Sequence, residues 1–197
     1  MATAPTPRIT EEEYLRLERA AETKSEFVDG EIFAMSGGSR AHSALAANWI
    51  GELRLKLRGR NCQVFTSDLR IRTHRTASYV YPDVSVVCGQ ARSNRNEDDI
   101  LANPTVVIEV LSPSTADYDR GKKFGLYREI ASLQDYLLVT PDSAHVEHYS
   151  RQPESWLFRE YSGIEATVHI ASIECAIALR DIYDGVLEPP AGSPAGL

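Results

Sequence analysis

The sequence predicts an α/β or α+β fold in which a central mixed β-sheet is flanked by two longer helices. Two segments have helical periodicity, and several β-rich runs lie between and after them. No internal repeat and no long linker divides the 197 residues. We therefore expect one domain over residues 10–187, with a flexible N-terminus (1–9) and a flexible C-terminal tail (188–197).

The chain begins with signals for a helix and then a β-hairpin. Thr10 followed three residues later by Glu13 is a capping box, which predicts a helix over roughly residues 10–21. The segment "EFVDGEIFAM" then contains Asp29-Gly30 between two short β-rich runs. Asp-Gly at such a place favours a two-residue hairpin turn.

A second helix is predicted over roughly residues 40–58, after the segment "SGGSRAH". Large apolar residues recur there at the four-residue spacing of one helix face. These residues are Leu45, Trp49, Leu53 and Leu57.

The remaining elements alternate between β-rich runs and turns. The runs "CQVFTSDLRIR" and "YVYPDVSVVC" are separated by the polar turn "THRTAS", and a polar loop follows over residues 89–103. The apolar run "TVVIEVLSPS" predicts a buried strand that leads into a helix over roughly residues 116–131. "DYLLVT", "HVEHYS", "WLFREYS" and "TVHIAS" are further strands, and "ALRDIYDGV" predicts a last helical turn.

Composition and charge exclude several classes of protein. No apolar run approaches the roughly 20 residues of a membrane helix, and no secretory signal is evident, so we expect a cytoplasmic protein. The net charge of −7 argues against indiscriminate nucleic-acid binding and suits a carboxylate site that holds a cation. Cys62, Cys88 and Cys175 are odd in number and widely separated, which argues against a disulfide framework and a thiolate zinc site.

Two acidic residues occupy unusual positions in the β-rich runs. Glu109 lies within an apolar strand, where burying a carboxylate costs several kcal/mol unless a partner offsets it. Asp83 follows Pro82 at the start of the run "VSVV". Taken singly, Asp83 suits a turn and Glu109 suits a core pair with arginine. If the two strands are neighbours, however, the carboxylates converge and favour a bound cation such as Mg²⁺.

The helix after Glu109 carries a lysine that could reach this site. Asp119, Lys123 and Tyr127 are spaced by four residues and share roughly one helix face. One interpretation is a solvated Asp–Lys pair beside a packed tyrosine. In the other, the ammonium group approaches the acids, where it could stabilise a nucleophilic water or charge on phosphate. On that reading, replacing Lys123 by alanine should remove catalysis and leave the fold intact.

These residues in this order resemble the Uma-two family, which has a restriction-endonuclease-like fold and is related to PD-(D/E)xK nucleases. The resemblance covers roughly residues 8–185 and includes "TEEEY", "VDGEIFAMSGGSRAH" and "DYLLV". It implies a restriction-endonuclease-like core and a metal-dependent endonuclease that hydrolyses phosphodiester bonds in DNA. It further implies Mg²⁺ or Mn²⁺ as cofactor, and family analogy suggests a homodimer. The alternative is a catalytically inactive nuclease-like fold that serves as a DNA- or protein-binding module.

The resemblance also assigns roles to individual residues. Asp83, Glu109 and the backbone carbonyl of Val110 would hold the metal, and Lys123 would be catalytic, oriented by Asp119 and Tyr127. Leu111 stands where the wider ExK motif has its lysine, so Lys123 would replace it from the following helix.

Two further residues match the family pattern less specifically. Glu31 corresponds to an acid of the same cluster, although an exposed hairpin glutamate is an equally good interpretation. His42 corresponds to a family histidine that could orient phosphate or relay a proton, and the alternative is a helix-capping or partly buried imidazole.

Overall fold

The computed structural model describes residues 8–73, 77–93 and 97–187. The termini that we expected to be flexible lie mostly outside these ranges, as does the middle of the turn "THRTAS". In chain order the elements are α1 (Glu11–Ala20), β1 (Ser25–Val28), β2 (Glu31–Ala34), α2 (Arg40–Lys56), β3 (Cys62–Thr66), β4 (Arg70–Arg72), β5 (Tyr79–Val80), β6 (Val84–Cys88), β7 (Ile100–Leu101), β8 (Val106–Val110), α3 (Ala116–Tyr118), a π-helical turn (Asp119–Lys123), α4 (Phe124–Tyr127), β9 (Asp135–Val139), β10 (His145–Arg151), β11 (Trp156–Ser162), β12 (Thr167–Ile170), a 3-10 turn (Ala171–Ile173), β13 (Cys175–Ala178) and α5 (Leu179–Ile182).

The predicted mixed sheet is confirmed, and a second sheet packs beside it. The central sheet has six strands in the order β11-β10-β9-β8-β6-β3, with β8 and β9 parallel and the other pairs antiparallel. The second sheet has the order β2-β1-β5-β4-β7, and β12 pairs with β13. The chain passes from the second sheet to the central sheet between β5 and β6, through Tyr81, Pro82 and Asp83.

Local signals in the sequence account for the first elements. The Thr10 hydroxyl accepts a hydrogen bond from the Glu13 N–H at 3.2 Å, which caps α1 as predicted. Asp29 and Gly30 have φ values of 54° and 84°, the left-handed conformation that a tight hairpin turn between β1 and β2 requires. The structure thus bears out the first helix and the hairpin.

Strand β8 is buried on both faces, as its apolar sequence predicted. Val106, Ile108 and Val110 belong to the core beneath α2, to which three of the predicted apolar residues contribute from the helix and the fourth, Leu57, from its C-cap. Val107 and Leu111 pack on the opposite face against the segment that contains Tyr127. Because side chains alternate along a strand, Glu109 points to this second face.

The helix predicted over residues 116–131 is shorter and less regular in the structure. It consists of α3, the π-helical turn and α4, and it ends at Tyr127. The five residues of the π turn include both Asp119 and Lys123, which are buried. A π turn is an uncommon feature that often occurs at functional sites.

The expectation that the cysteines form no disulfide was wrong. Cys62 and Cys88 form a disulfide, because they lie directly opposite each other on the antiparallel strands β3 and β6. The two cysteines are 26 residues apart in the sequence, and their proximity could not be predicted from that spacing because it depends on the register of two strands. Cys175 is buried and free. Within the described ranges, no helix combines the length and apolar character needed to span a membrane.

Candidate active site

Asp83 directly precedes β6, and Glu109 lies on β8, the neighbouring strand of the central sheet. Val84 of β6 pairs with Ile108 of β8, and one further step of this antiparallel register places Asp83 opposite Glu109. The N–H of Val110 donates a hydrogen bond to Asp83 Oδ2 at 2.7 Å. Both carboxylates line one cavity of about 360 Å³. The sheet therefore brings together the two acids that the sequence singled out.

Glu109 has charged and polar partners in the core. Its side chain is buried, and Oε1 accepts hydrogen bonds from Lys123 Nζ at 2.9 Å and from the Tyr127 hydroxyl at 2.9 Å. Burial raises the pKa of Glu109 well above its ordinary value, against the opposing effect of the Lys123 charge. The nearby carboxylates of Asp83 and Asp119 raise this pKa further.

Lys123 is also buried, and its ammonium group has three close acceptors. These are the Tyr81 carbonyl oxygen at 3.0 Å, Glu109 Oε1 at 2.9 Å and Glu26 Oε1 at 3.1 Å. An ammonium group has three N–H donors, so each of them has a partner within the protein. Burial lowers the pKa of Lys123, but the surrounding carboxylates outweigh this effect and hold the pKa well above its ordinary value.

Glu26 is a site residue that the sequence analysis missed. This acid of β1 is buried, and its Oε1 accepts a hydrogen bond from the Tyr81 N–H at 3.1 Å in addition to its contact with Lys123. Its Oε2 accepts from the Tyr118 hydroxyl at 3.0 Å. Glu26 and Lys123 thus hold the backbone of Tyr81, two residues before Asp83. The sequence signal for Glu26 is weak, because the acid lies in a short β-rich run in which only the two residues after it are apolar.

His42 approaches the site from the first turn of α2. Its backbone N–H is capped by the Ser39 hydroxyl at 3.2 Å, while its Nε2 lies 3.1 Å from Asp83 Oδ2. The hydrogen bond to Asp83 raises the pKa of His42, although burial opposes the rise. The histidine is therefore in contact with one of the two proposed metal ligands.

The other predicted residues fall in different places. Asp119 Oδ1 lies 3.8 Å from Lys123 Nζ, consistent with the expected pairing. The Tyr127 hydroxyl contacts Glu109 and so acts on Lys123 only through their common partner. Val110 lines the cavity and donates its N–H to Asp83, whereas a role for its carbonyl stays a prediction.

Glu31 is not brought into this cluster. It lies on the exposed strand β2, paired with Val28, and it does not line the cavity. The acid of the hairpin that reaches Lys123 is Glu26.

A second cavity of about 630 Å³ adjoins the first. The two share Gly37, Gly38, His42 and Asp83 among their lining residues, so His42 and Asp83 stand at the junction. The two cavities therefore meet at Asp83 and His42, while Glu109 lines only the first.

Two arginines of β4 form ion pairs outside the two cavities. Arg70 is buried and lies 2.8 Å from Asp99, and Arg72 lies 2.8 Å from Glu11. Their charges are therefore balanced by Asp99, in the turn before β7, and by Glu11 of α1.

The donor set fits a hard divalent cation bound through few protein ligands. Four carboxyl groups, those of Glu26, Asp83, Glu109 and Asp119, line the first cavity around the buried ammonium of Lys123. Among the described residues, no three His, Cys, Asp or Glu side chains form a ready-made metal cage. Mg²⁺ usually requires only one or two carboxylates and takes its other ligands from water and phosphate. Excess carboxylate and the open cavity are consistent with such a site.

Comparison with known proteins identifies the family. The model of the Uma2 family, described as "Putative restriction endonuclease", matches residues 11–179. The chain belongs to the Uma2 family. The resemblance noted in the sequence is thereby confirmed.

Two relatives and one solved structure are also similar to the chain. The Synechocystis sp. proteins slr1290 and sll1609 are 39% and 38% identical to the chain, over 184 and 172 residues. The alignments cover 93% and 87% of this chain, and 95% and 97% of the relatives. A crystal structure of "a putative nuclease belonging to DUF820" from Anabaena variabilis has a TM-score of 0.73 and 24% identity, and the match covers 91% of this chain and 99% of that one. This likeness shows the shared nuclease-like α/β fold.

Proposed function

We propose that this Uma2 protein is a divalent-metal-dependent endonuclease that hydrolyses phosphodiester bonds in DNA. The observation that supports the proposal most is the position of Lys123. The ExK position holds Leu111, which is buried in the core, yet a lysine from the next helix lies 2.9 Å from Glu109. A lysine, two neighbouring acids and an open cavity are the parts that metal-assisted phosphodiester hydrolysis needs.

The residues of the site can be given separate tasks. Asp83 and Glu109, with the carbonyl of Val110, would hold Mg²⁺ or Mn²⁺. When bound, such an ion supplies a water of lowered pKa and neutralises charge on the phosphate. His42 would orient the phosphate or relay a proton, because it contacts Asp83 and lines both cavities.

Lys123 acts under a geometric constraint. Its three donors are all bonded inside the protein, so a contact with water or phosphate requires it to release one acceptor. Whether Lys123 keeps all three acceptors or releases one, its positive charge lies beside the carboxylates. There it stabilises negative charge that develops in the cavity during hydrolysis. We propose that this electrostatic effect is its main contribution to catalysis.

The bonding of all three Lys123 donors within the protein also favours a second candidate function. A lysine held by three protein acceptors is also what a purely structural ion pair in a buried core looks like. The protein would then be a nuclease-like fold that binds DNA or a partner protein without cleaving it.

Incubation with supercoiled plasmid DNA separates the two functions. We expect nicked and linear products with Mg²⁺ or Mn²⁺ and none with a chelator. Glu109→Gln should abolish cleavage. Glu31→Gln is the matched control, because Glu31 is an exposed acid outside the cavity, and it should cleave like the wild type. Plasmid that stays supercoiled with every metal, although the protein binds it, would favour the binding module.

The oligomeric state belongs to the same proposal. A homodimer would let each protomer cut one strand of a duplex. Analytical ultracentrifugation with and without DNA tests this, and a monomer that makes double-strand breaks would contradict it.

A further inference from the structure

An exposed aromatic ring stands beside the proposed catalytic cluster. Phe33 lies on β2, an edge strand of the second sheet, and lines the same cavity as Asp83 and Glu109. Its direct cross-strand partner is Glu26, and residues opposite each other in an antiparallel pair point to the same face. Because Glu26 contacts Lys123, the ring is separated from the buried lysine by one side chain.

The ring remains open to solvent although it lines a cavity. Phe33 is 44% exposed, whereas the cluster next to it is buried. Large apolar side chains gain free energy by leaving water, so an exposed aromatic ring at the rim of this cavity suits contact with a flat apolar group of a ligand. The heterocycle of a nucleobase is such a group.

A positive charge that suits phosphate accompanies the ring. Lys122 Nζ lies 5.7 Å from the centre of the Phe33 ring and 3.7 Å from Asp29 Oδ2, and the lysine side chain is 49% exposed. Lys122 also lines the cavity. Adjacent in sequence, Lys122 and Lys123 thus differ in environment: one faces solvent at the cavity rim, and the other is buried among acids.

The geometry points to a nucleotide subsite in which Phe33 stacks on an unpaired base and Lys122 binds a neighbouring phosphate. This inference rests on the proposed function and adds a substrate class to it. A base within a duplex offers only its edge to a protein, because its faces are covered by adjacent base pairs. A ring that binds a base by its face therefore favours nucleic acid with an unstacked nucleotide next to the scissile bond; in supercoiled plasmid, such a nucleotide arises where the two strands open. Such substrates include single strands and single-stranded flaps.

Binding of labelled oligonucleotides tests the subsite without depending on cleavage. Fluorescence anisotropy would be measured with a single strand and with a blunt duplex, in Ca²⁺ and in chelator. Phe33→Ala should weaken single-strand binding about 5- to 150-fold and leave duplex binding unchanged. Phe33→Tyr, which keeps the aromatic face, should restore single-strand binding.

The chain offers a matched control for this substitution. Phe158 is also 44% exposed and lies on β11, the edge strand of the central sheet. It does not line the cavity, so Phe158→Ala should bind both oligonucleotides like the wild type. Lys122→Ala should weaken binding of both and reduce the slope of log affinity against log salt by about 0.7 for the single strand.

The outcomes distinguish this inference from the proposed function. A wild-type protein that cleaves DNA, together with a Phe33→Ala variant of unchanged single-strand affinity, would overturn the subsite alone. A wild-type protein that binds no nucleic acid in any condition would overturn both. A Phe33→Ala variant that changes only the sedimentation coefficient would show that the ring contacts a second copy of the chain, which also overturns the subsite.

Discussion

Replacement of Lys123 by methionine should destabilise the protein strongly. Methionine keeps most of the length and volume of the side chain, so the apolar packing changes little. The substitution removes the donor shared by Glu109, Glu26 and the Tyr81 carbonyl. These acceptors then remain buried without this donor. We therefore no longer expect the fold to stay intact when Lys123 is lost, as the sequence alone suggested.

The size of the effect follows from this burial. Removing one partner of a buried ion pair typically costs about 3–5 kcal/mol of unfolding free energy, because the remaining charge is uncompensated. The Lys123 side chain is 7% exposed, and those of Glu109 and Glu26 are 4% and 8% exposed, so solvent screens these pairs little. For a chain of this size, the loss corresponds to a melting temperature lower by roughly 6–20 °C.

Urea unfolding followed by circular dichroism and tryptophan fluorescence measures the change directly. The neighbouring substitution Lys122→Met provides the control, since this lysine is half exposed and its ion pair with Asp29 is long, at 3.7 Å. We expect the control to alter stability by less than about 0.5 kcal/mol. If Lys123→Met costs under about 1 kcal/mol, or no more than Lys122→Met, the ammonium does not hold this cluster together.

Two further predictions concern the core around the site. Tyr127→Phe removes a hydroxyl that donates to a buried carboxylate and should cost about 1.5–3 kcal/mol in urea unfolding, without a change in packing; an unaffected midpoint would mean that Glu109 does not need this donor. Reduction of the Cys62–Cys88 disulfide, which spans 26 residues, should lower the unfolding free energy by about 2–4 kcal/mol. A Cys62→Ser/Cys88→Ser variant should be insensitive to reductant, and equal stability of the oxidised and reduced wild type would contradict the cross-link.

The sequence predicted those parts of the site that depend on local pattern. The strand containing Glu109 could be recognised as buried because apolar residues occupy both of its faces. The hairpin and the first two helices follow from turn chemistry, capping and periodicity, which act over a few residues. Asp83 could be placed near Glu109 once their two strands were taken as neighbours, and the register of β6 and β8 has that arrangement.

What the sequence could not predict depends on distant contacts. Glu26 reaches Lys123 because β1 pairs with β5 in a second sheet, and nothing near Glu26 in the sequence indicates that pairing. Glu31 was singled out by the family resemblance, but the pairing of β2 with β1 leaves it on an exposed strand. The proximity of Cys62 and Cys88 likewise follows from strand register alone.

The central claim is that Asp83 and Glu109 together bind a divalent cation, and calorimetric titration with Mn²⁺ tests it most directly. The wild type should show saturable binding, which Asp83→Asn and Glu109→Gln should each abolish while circular dichroism confirms that they are folded. Glu31→Gln, altered outside the cavity, should bind like the wild type. Unchanged Mn²⁺ binding in folded Glu109→Gln would contradict the proposed ligand set.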